Sequence, residues 1–188
     1  PNQISYFFDE QGSLLSLNDR HSNTIALEWD GEHVARIVDS AGRAFDLTYD
    51  EGHIASISDS SGRILYCTYE NDDLVSVTNG KGGVYQFAYQ DHRMTQATDP
   101  DGILYLQNIY DAEGRVIEQV DASGSHSYFD YDSEGQTTFT DNLGHQTLYT
   151  YDDKFRVTEV RDALGYTESY VYDDDYNVAA YTDKRGAV

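Results

Sequence analysis

Apolar and polar residues alternate in short runs that end on an aromatic side chain. In Phe45-x-Leu47-x-Tyr49, Leu65-x-Cys67-x-Tyr69 and Tyr85-x-Phe87-x-Tyr89, the residues two and four places before the aromatic share its face, because side chains alternate across a strand. Ile25, Leu27 and Trp29 follow the same rule, and Ile4, Tyr6 and Phe8 open the series. Intervening positions such as Glu28, Asp46, Thr48, Thr68, Asp130 and Thr150 are polar, which predicts strands buried on one face. Later runs are weaker, as in Leu106-Asn108-Tyr110, Ser127-Phe129-Tyr131, Thr147-Tyr149-Tyr151 and Glu168-Tyr170-Tyr172, and Ile64, Tyr66, Ile109 and Val171 leave the outer face partly apolar.

The runs keep time. Their terminal aromatics, Trp29, Tyr49, Tyr69, Tyr89, Tyr110, Tyr131, Tyr151 and Tyr172, are spaced 20 or 21 residues apart. We call them anchors. A second series, Asp39, Asp59, Asn79, Asp99, Asp121, Asp141, Asp162 and Asp183, has glycine three residues on at Gly42, Gly62, Gly82, Gly102, Gly124, Gly144, Gly165 and Gly186. Asp bonds nearby backbone amides and Gly accepts positive φ, so Asp-x-x-Gly predicts a chain reversal. Acidic segments after the anchors, such as Asp50-Glu51-Gly52, Asp111-Ala112-Glu113-Gly114 and Asp132-Ser133-Glu134-Gly135, predict a second one. Asp19 has Ser22 where the glycine would stand. The segments after Asp152 and Asp173 carry no turn glycine, which predicts a different turn geometry in those two.

Between the two turns lies a second strand whose apolar residues fall three apart: Val34 and Ile37, Ile54 and Ile57, Leu74 and Val77, Val157 and Val160. Strict alternation forbids that spacing, so either a bulge or a strand that starts late is implied. Each unit is then one β-hairpin, with about eight in the chain. A single hairpin is marginal in water and must pair with its neighbours, as repeats of this length do. The predicted fold is all-β: tandem hairpins forming a long twisted or spiralling antiparallel sheet over residues 1–188, with no internal domain boundary. The strand pattern already running at Ile4 and the unfinished repeat after Asp183 suggest a piece of a longer array.

Seventeen tyrosines, fifteen glycines and two prolines suit such strands and turns. The net charge of -22, from 34 acidic against 12 basic residues, argues against nucleic acid and anionic membranes and favours cationic partners or divalent cations. With 39% hydrophobic and 13% aromatic residues the chain is too apolar for disorder. No run approaches the ~20 apolar residues of a membrane span, and no charged-then-apolar leader precedes Pro1.

Candidate chemistry is sparse. Acidic clusters such as Asp72-Asp73 and Asp173-Asp174-Asp175 lack the spacing of a calcium loop, and turn formation accounts for the repeated Asp residues. His21, His33, His53, His92, His126 and His145 show no metal-ligand spacing. The lone Cys67, between Leu65 and Tyr69, reads as a packed thiol. Ser60-Ser61-Gly62 and Gly80-Lys81-Gly82-Gly83 read as turns. No cofactor, metal site or catalytic residue is assigned. Aromatic ladders also stack on sugars, so carbohydrate binding is the alternative; exposure of Tyr66, Tyr105 and Tyr128 is its discriminator.

Tyr110-Asp111-Ala112-Glu113-Gly114-Arg115-Val116, Asp39-Ser40-Ala41-Gly42-Arg43 through Tyr49-Asp50-Glu51-Gly52, and Asp121-Ala122-Ser123-Gly124 through Tyr131-Asp132 resemble the YD repeats of RHS-repeat proteins. Asp99-Pro100-Asp101-Gly102 is similar to a turn common in that family. The resemblance implies a non-catalytic segment of a large secreted or surface-displayed bacterial polypeptide, or of a teneurin-like receptor. In similar toxins the repeats spiral into a hollow shell around a C-terminal toxic domain. The partner implied is thus the rest of the parent polypeptide. The family's C-terminal core motif and its autoproteolytic aspartates have no counterpart here.

Overall fold

The computed structural model describes residues 4–131 and 135–187. These fold into eighteen β-strands and no helix. The chain divides into two compact units: the first runs to Phe87 and includes Asp99–Asp101, and the second takes Ala88–Thr98 and the residues from Gly102 onward.

The first unit holds β1 (Ile4–Phe8), β2 (Leu14–Asp19), β3 (Thr24–Asp30), β4 (His33–Asp39), β5 (Ala44–Asp50), β6 (His53–Asp59), β7 (Ile64–Glu70), β8 (Asp73–Thr78) and the start of β9 (Val84–Gln90). Each pairs antiparallel with its sequence neighbour, from β1 with β2 to β8 with β9. The second unit continues with β10 (Arg93–Thr98), β11 (Leu104–Tyr110), β12 (Val116–Asp121), β13 (His126–Asp130), β14 (Gln136–Thr140), β15 (Gln146–Tyr151), β16 (Val157–Arg161), β17 (Thr167–Tyr172) and β18 (Val178–Thr182). Its pairing, β10 with β11 through β17 with β18, is again antiparallel and sequential.

The three-residue apolar spacing is a bulge. In the β5–β6 pair, Leu47 faces Ile57 and Thr48 faces Ser56, but Tyr49 faces Ile54, so Ala55 is extra. Ala35, Val75, Ile117, Thr158 and Ala179 are extra in the same way opposite the ends of β3, β7, β11, β15 and β17. An extra residue restores both flanking apolar side chains to the anchor's face, which alternation alone would not do.

Turn chemistry explains why the period drifts between 20 and 21. After Tyr49 and Tyr69 the strands close through two residues, Glu51-Gly52 and Asn71-Asp72. Both central residues have positive φ in each (49° and 87°, 50° and 67°), as the mirror-image hairpin turn requires. After Tyr110 and Tyr151 the loop is longer: Asp111 N–H donates to Arg115 O and Gly114 N–H to Asp111 O, and Asp152 repeats this with Arg156 and Phe155. These are the 21-residue steps. From Tyr89 to Tyr110 the extra residue is Tyr105, bulged where Thr98 faces Leu104 and Ala97 faces Leu106. The segment Asp132–Glu134 lies outside the described residues.

Two expectations need correction. Phe155 and Tyr176 do not bring a different turn geometry: they adopt φ 59° and 68° and make the same bonds as glycine, and Ser22 does likewise at 66°. The Asp carboxylate holds these loops, and it overrides the steric preference of the αL residue. The anchor face is also not a closed core. Among the described residues the buried hydrophobics are Ala44 and Ala97. Phe45, on the face the alternation predicts to be buried, is 52% exposed, and Ile25 is 46% exposed. Among the described residues the strand contacts run between sequence neighbours, and the exposure of Phe45 and Ile25 leaves the tops of these side chains open.

Candidate functional surface

The anchors form a ladder across the bulges. Tyr49 donates its hydroxyl to Val34 O (3.0 Å), Tyr131 to Val116 O (2.9 Å) and Tyr172 to Val157 O (2.8 Å), while Trp29 Nε1 donates to Leu14 O (2.9 Å). In all four the acceptor lies 15 residues back and immediately precedes an extra residue. Tyr110 reaches Met94 O at 2.7 Å over 16 residues, the Tyr105 bulge adding one. A bulge interrupts the ladder of backbone bonds, and the anchor supplies the missing donor. Tyr69 lies in β7 facing Leu74, Tyr89 in β9, and Tyr151 faces Val157 while its N–H donates to Gly135 O at 2.7 Å.

A second contact clamps four of the rings from the side. The residue 16 places before the anchor stacks on it: His33 on Tyr49 (centroids 4.4 Å apart), His53 on Tyr69 (4.6 Å), Arg115 over Tyr131 (4.5 Å) and Arg156 over Tyr172 (4.7 Å). Sequence reading missed this row. Its signal was a histidine or arginine 16 residues before these four anchors, types that favour aromatic faces.

The turn aspartates are built alike. Oδ1 of Asp39 accepts N–H bonds from Ala41 and Arg43, each 2.9 Å, and Oδ2 takes Arg43 Nε at 2.6 Å. Asp59 accepts Ser61 N–H (2.9 Å) and Arg63 N–H (3.1 Å), Asp121 accepts Ser123 and Ser125, Asp141 accepts Leu143 and His145, and Asp162 accepts Leu164 and Tyr166. Asp99 accepts Asp101 N–H at 2.9 Å. Gly42, Gly62, Gly102, Gly124, Gly144 and Gly165 lie at φ between 77° and 85°. Hydrogen bonds to the ionised form hold these carboxyls below the usual range: from the Arg43 side chain to Asp39, Ser61 and then Arg63 to Asp59, Ser123 to Asp121, His145 to Asp141, and Lys184 to Asp162. Lys184 bonds Asp162 at 2.7 Å from the following turn, because Tyr166 stands where Arg43 and Arg63 do in their loops.

The anchor face of the first unit is a shallow apolar concavity of about 670 Å³ lined by Ile37, Phe45, Leu47, Ile57 and Leu65, with Arg63 and Lys81 on its rim. Cys67 is half-buried and desolvation pushes its thiol up, away from reactivity. In the second unit Asn108 takes an anchor-face position and is buried, donating Nδ2–H to Met94 O (3.0 Å) and accepting from Gln119 Nε2 (3.0 Å). That pair satisfies an amide where the other strands carry an apolar side chain. Tyr66 and Tyr128 are 52% and 46% exposed and Tyr105 is half-buried.

Among the described residues no three metal-ligating side chains converge, and no helix is long and apolar enough to cross a membrane. His126 and His145 pair with Glu118 (2.5 Å) and Asp141 (2.9 Å), and His21 lies 3.8 Å from Asp19. The surface offers apolar contact, ring faces and paired charges.

Residues 69–103 and 131–167 match the RHS repeat family. No curated protein matches the chain. Among solved structures it is similar to the TcdB2–TccC3 complex (16% identity, TM-score 0.55) and to the Photorhabdus luminescens Tc holotoxin pore carrying a TccC3 mutation (12%, 0.54). A third is the TcdB2–TccC3–Cdc42 structure (12%, 0.52). Each alignment covers 96% of this chain but 12% or 13% of the other. At such identity the likeness concerns the fold.

Proposed function

Taking as premise that the chain carries RHS repeats, we propose that it is a non-catalytic wall segment of an RHS-type shell, one continuous stretch of a larger secreted or surface-displayed polypeptide. The shell's task would be to enclose a C-terminal toxin or effector until delivery. The observation that carries this reading is the open anchor face: Tyr49, Tyr131 and Tyr172 are each fixed by a hydroxyl bond and a stacked neighbour, yet Phe45 and Ile25 on that face stay exposed. Exposed apolar faces of this extent mark surfaces that meet another partner. A wall lined this way shelters an extended segment by apolar contact, and the Asp loops and the -22 charge keep its edges soluble.

Limited proteolysis of the full polypeptide tests the reading. Leu47→Asp, which places a charge on the anchor face of β5, should make the C-terminal segment cleavable while the wild type protects it. Equal cleavage in both, with the wild-type repeats folded, defeats the enclosure.

A further inference from the structure

We propose that Asn79–Gly80 is a self-modifying site, at which the native turn drives cyclisation of Asn79 to a succinimide and onward to aspartate or isoaspartate. This goes beyond the shell reading and does not depend on it. It is the one Asn-Gly step in the chain.

Three features of the loop bear on the chemistry. Asn79 Oδ1 accepts N–H bonds from Lys81 (2.9 Å) and Gly83 (3.0 Å), so two backbone donors already face the oxygen that turns negative when the side-chain carbonyl is attacked. The attacking atom is Gly80 N, whose N–H donates no bond among the described residues, and Gly80 itself is exposed. The absence of a side chain there is imposed by packing: a Cβ on Gly80 would stand 2.9 Å from Arg63 Cβ. The substituent that would hinder attack is thus excluded by the neighbouring turn.

The step balances. Hydroxide removes the Gly80 amide proton, and the nitrogen bonds to Asn79 Cγ. The C–Nδ2 bond then breaks, and the nitrogen leaves as ammonia with one further proton. Water opens the five-membered imide at either carbonyl. Opening at one gives aspartate, the residue that Asp39, Asp59, Asp121, Asp141 and Asp162 place in equivalent loops, with the same pair of N–H donors. Opening at the other gives isoaspartate, whose main chain is one carbon longer. That product breaks the Asn79 N–H bond to Gly83 O (2.8 Å) and the Gly82 N–H bond to Asn79 O (2.9 Å), which close the β8–β9 hairpin.

The purified chain, incubated in mildly alkaline buffer with and without denaturing urea and sampled by peptide mapping with tandem mass spectrometry, gives the answer. The Asn79→Asp variant supplies the reference peptide for the aspartate product. The expected result is acid at residue 79 accumulating several-fold faster in the folded chain than in urea, with Asn18, Asn108 and Asn142 remaining amides. Conversion in the folded chain that is equal to or slower than in urea, or no faster than at the other asparagines, overturns the proposal.

Discussion

Tyr49→Phe deletes one oxygen and nothing else from the ladder. The lost bond is Tyr49 Oη–H to Val34 O at 3.0 Å, across the bulge created by Ala35. Its removal returns a half-buried carbonyl to partial solvation, so the cost is that of one neutral hydrogen bond, about 1 kcal/mol. Tyr49→Ala removes more. A half-buried Tyr ring keeps roughly 100 Å² from water, worth about 2.5 kcal/mol, and its stack on His33 adds about 0.5–1 kcal/mol. The two variants should therefore differ by about 3 kcal/mol. Thermal unfolding followed by circular dichroism reads both. The Phe variant should lose about 4–8 °C in Tm where a unit of this size melts alone, and about 2–4 °C where the chain melts as one. Tyr66→Phe, whose 52% exposed ring lies on the opposite face, is the control and should not move. An unchanged Tm for Tyr49→Phe, or a loss matched by Tyr66→Phe, refutes the hydroxyl ladder.

Phe155 holds φ 59° with its side chain 88% exposed, so Phe155→Gly removes αL strain at no packing cost and should stabilise by about 1 kcal/mol in urea unfolding. The depressed Asp carboxyls contribute stability that is present above their unfolded value near 3.9 and is lost as pH falls through the lower folded values. The urea midpoint should drop on acidification below about pH 4, and Asp59→Asn should flatten that drop. An unchanged acid profile in the variant would show that Asp59 takes no part. Arg115→Gln removes the cation over Tyr131 and the 2.7 Å pair with Asp111, and should cost about 1 kcal/mol by the same melts. Retention of wild-type stability would show that the stacked guanidinium adds nothing.

Much of this was legible in the sequence because the repeat multiplies weak signals. One Tyr-Asp pair means little, but eight anchors at 20 or 21 residues fix the hairpin as the unit, and the Val34 and Ile37 spacing already demanded an irregular second strand. Three things were hidden. The acceptors of the anchor hydroxyls are backbone carbonyls, which every residue carries, so Leu14, Val34 and Val157 show no sign of the role in their side chains. The loops after Asp152 and Asp173 keep the glycine geometry with Phe155 and Tyr176, because the carboxylate's two N–H bonds outweigh a local preference. The openness of the anchor face could not be read from alternation, since Phe45 and Leu47 in a half-exposed sheet are patterned like those in a sealed core.

In the proposed shell the anchor face looks inward on an enclosed segment. Photocrosslinking amino acids placed singly at Phe45 and at Tyr66 in the full polypeptide test it directly, since the two positions lie on opposite faces of neighbouring hairpins. Crosslinks from position 45, and not from position 66, to the C-terminal segment of the same polypeptide are the predicted result. Crosslinks from position 66 alone, or from neither position, would contradict it.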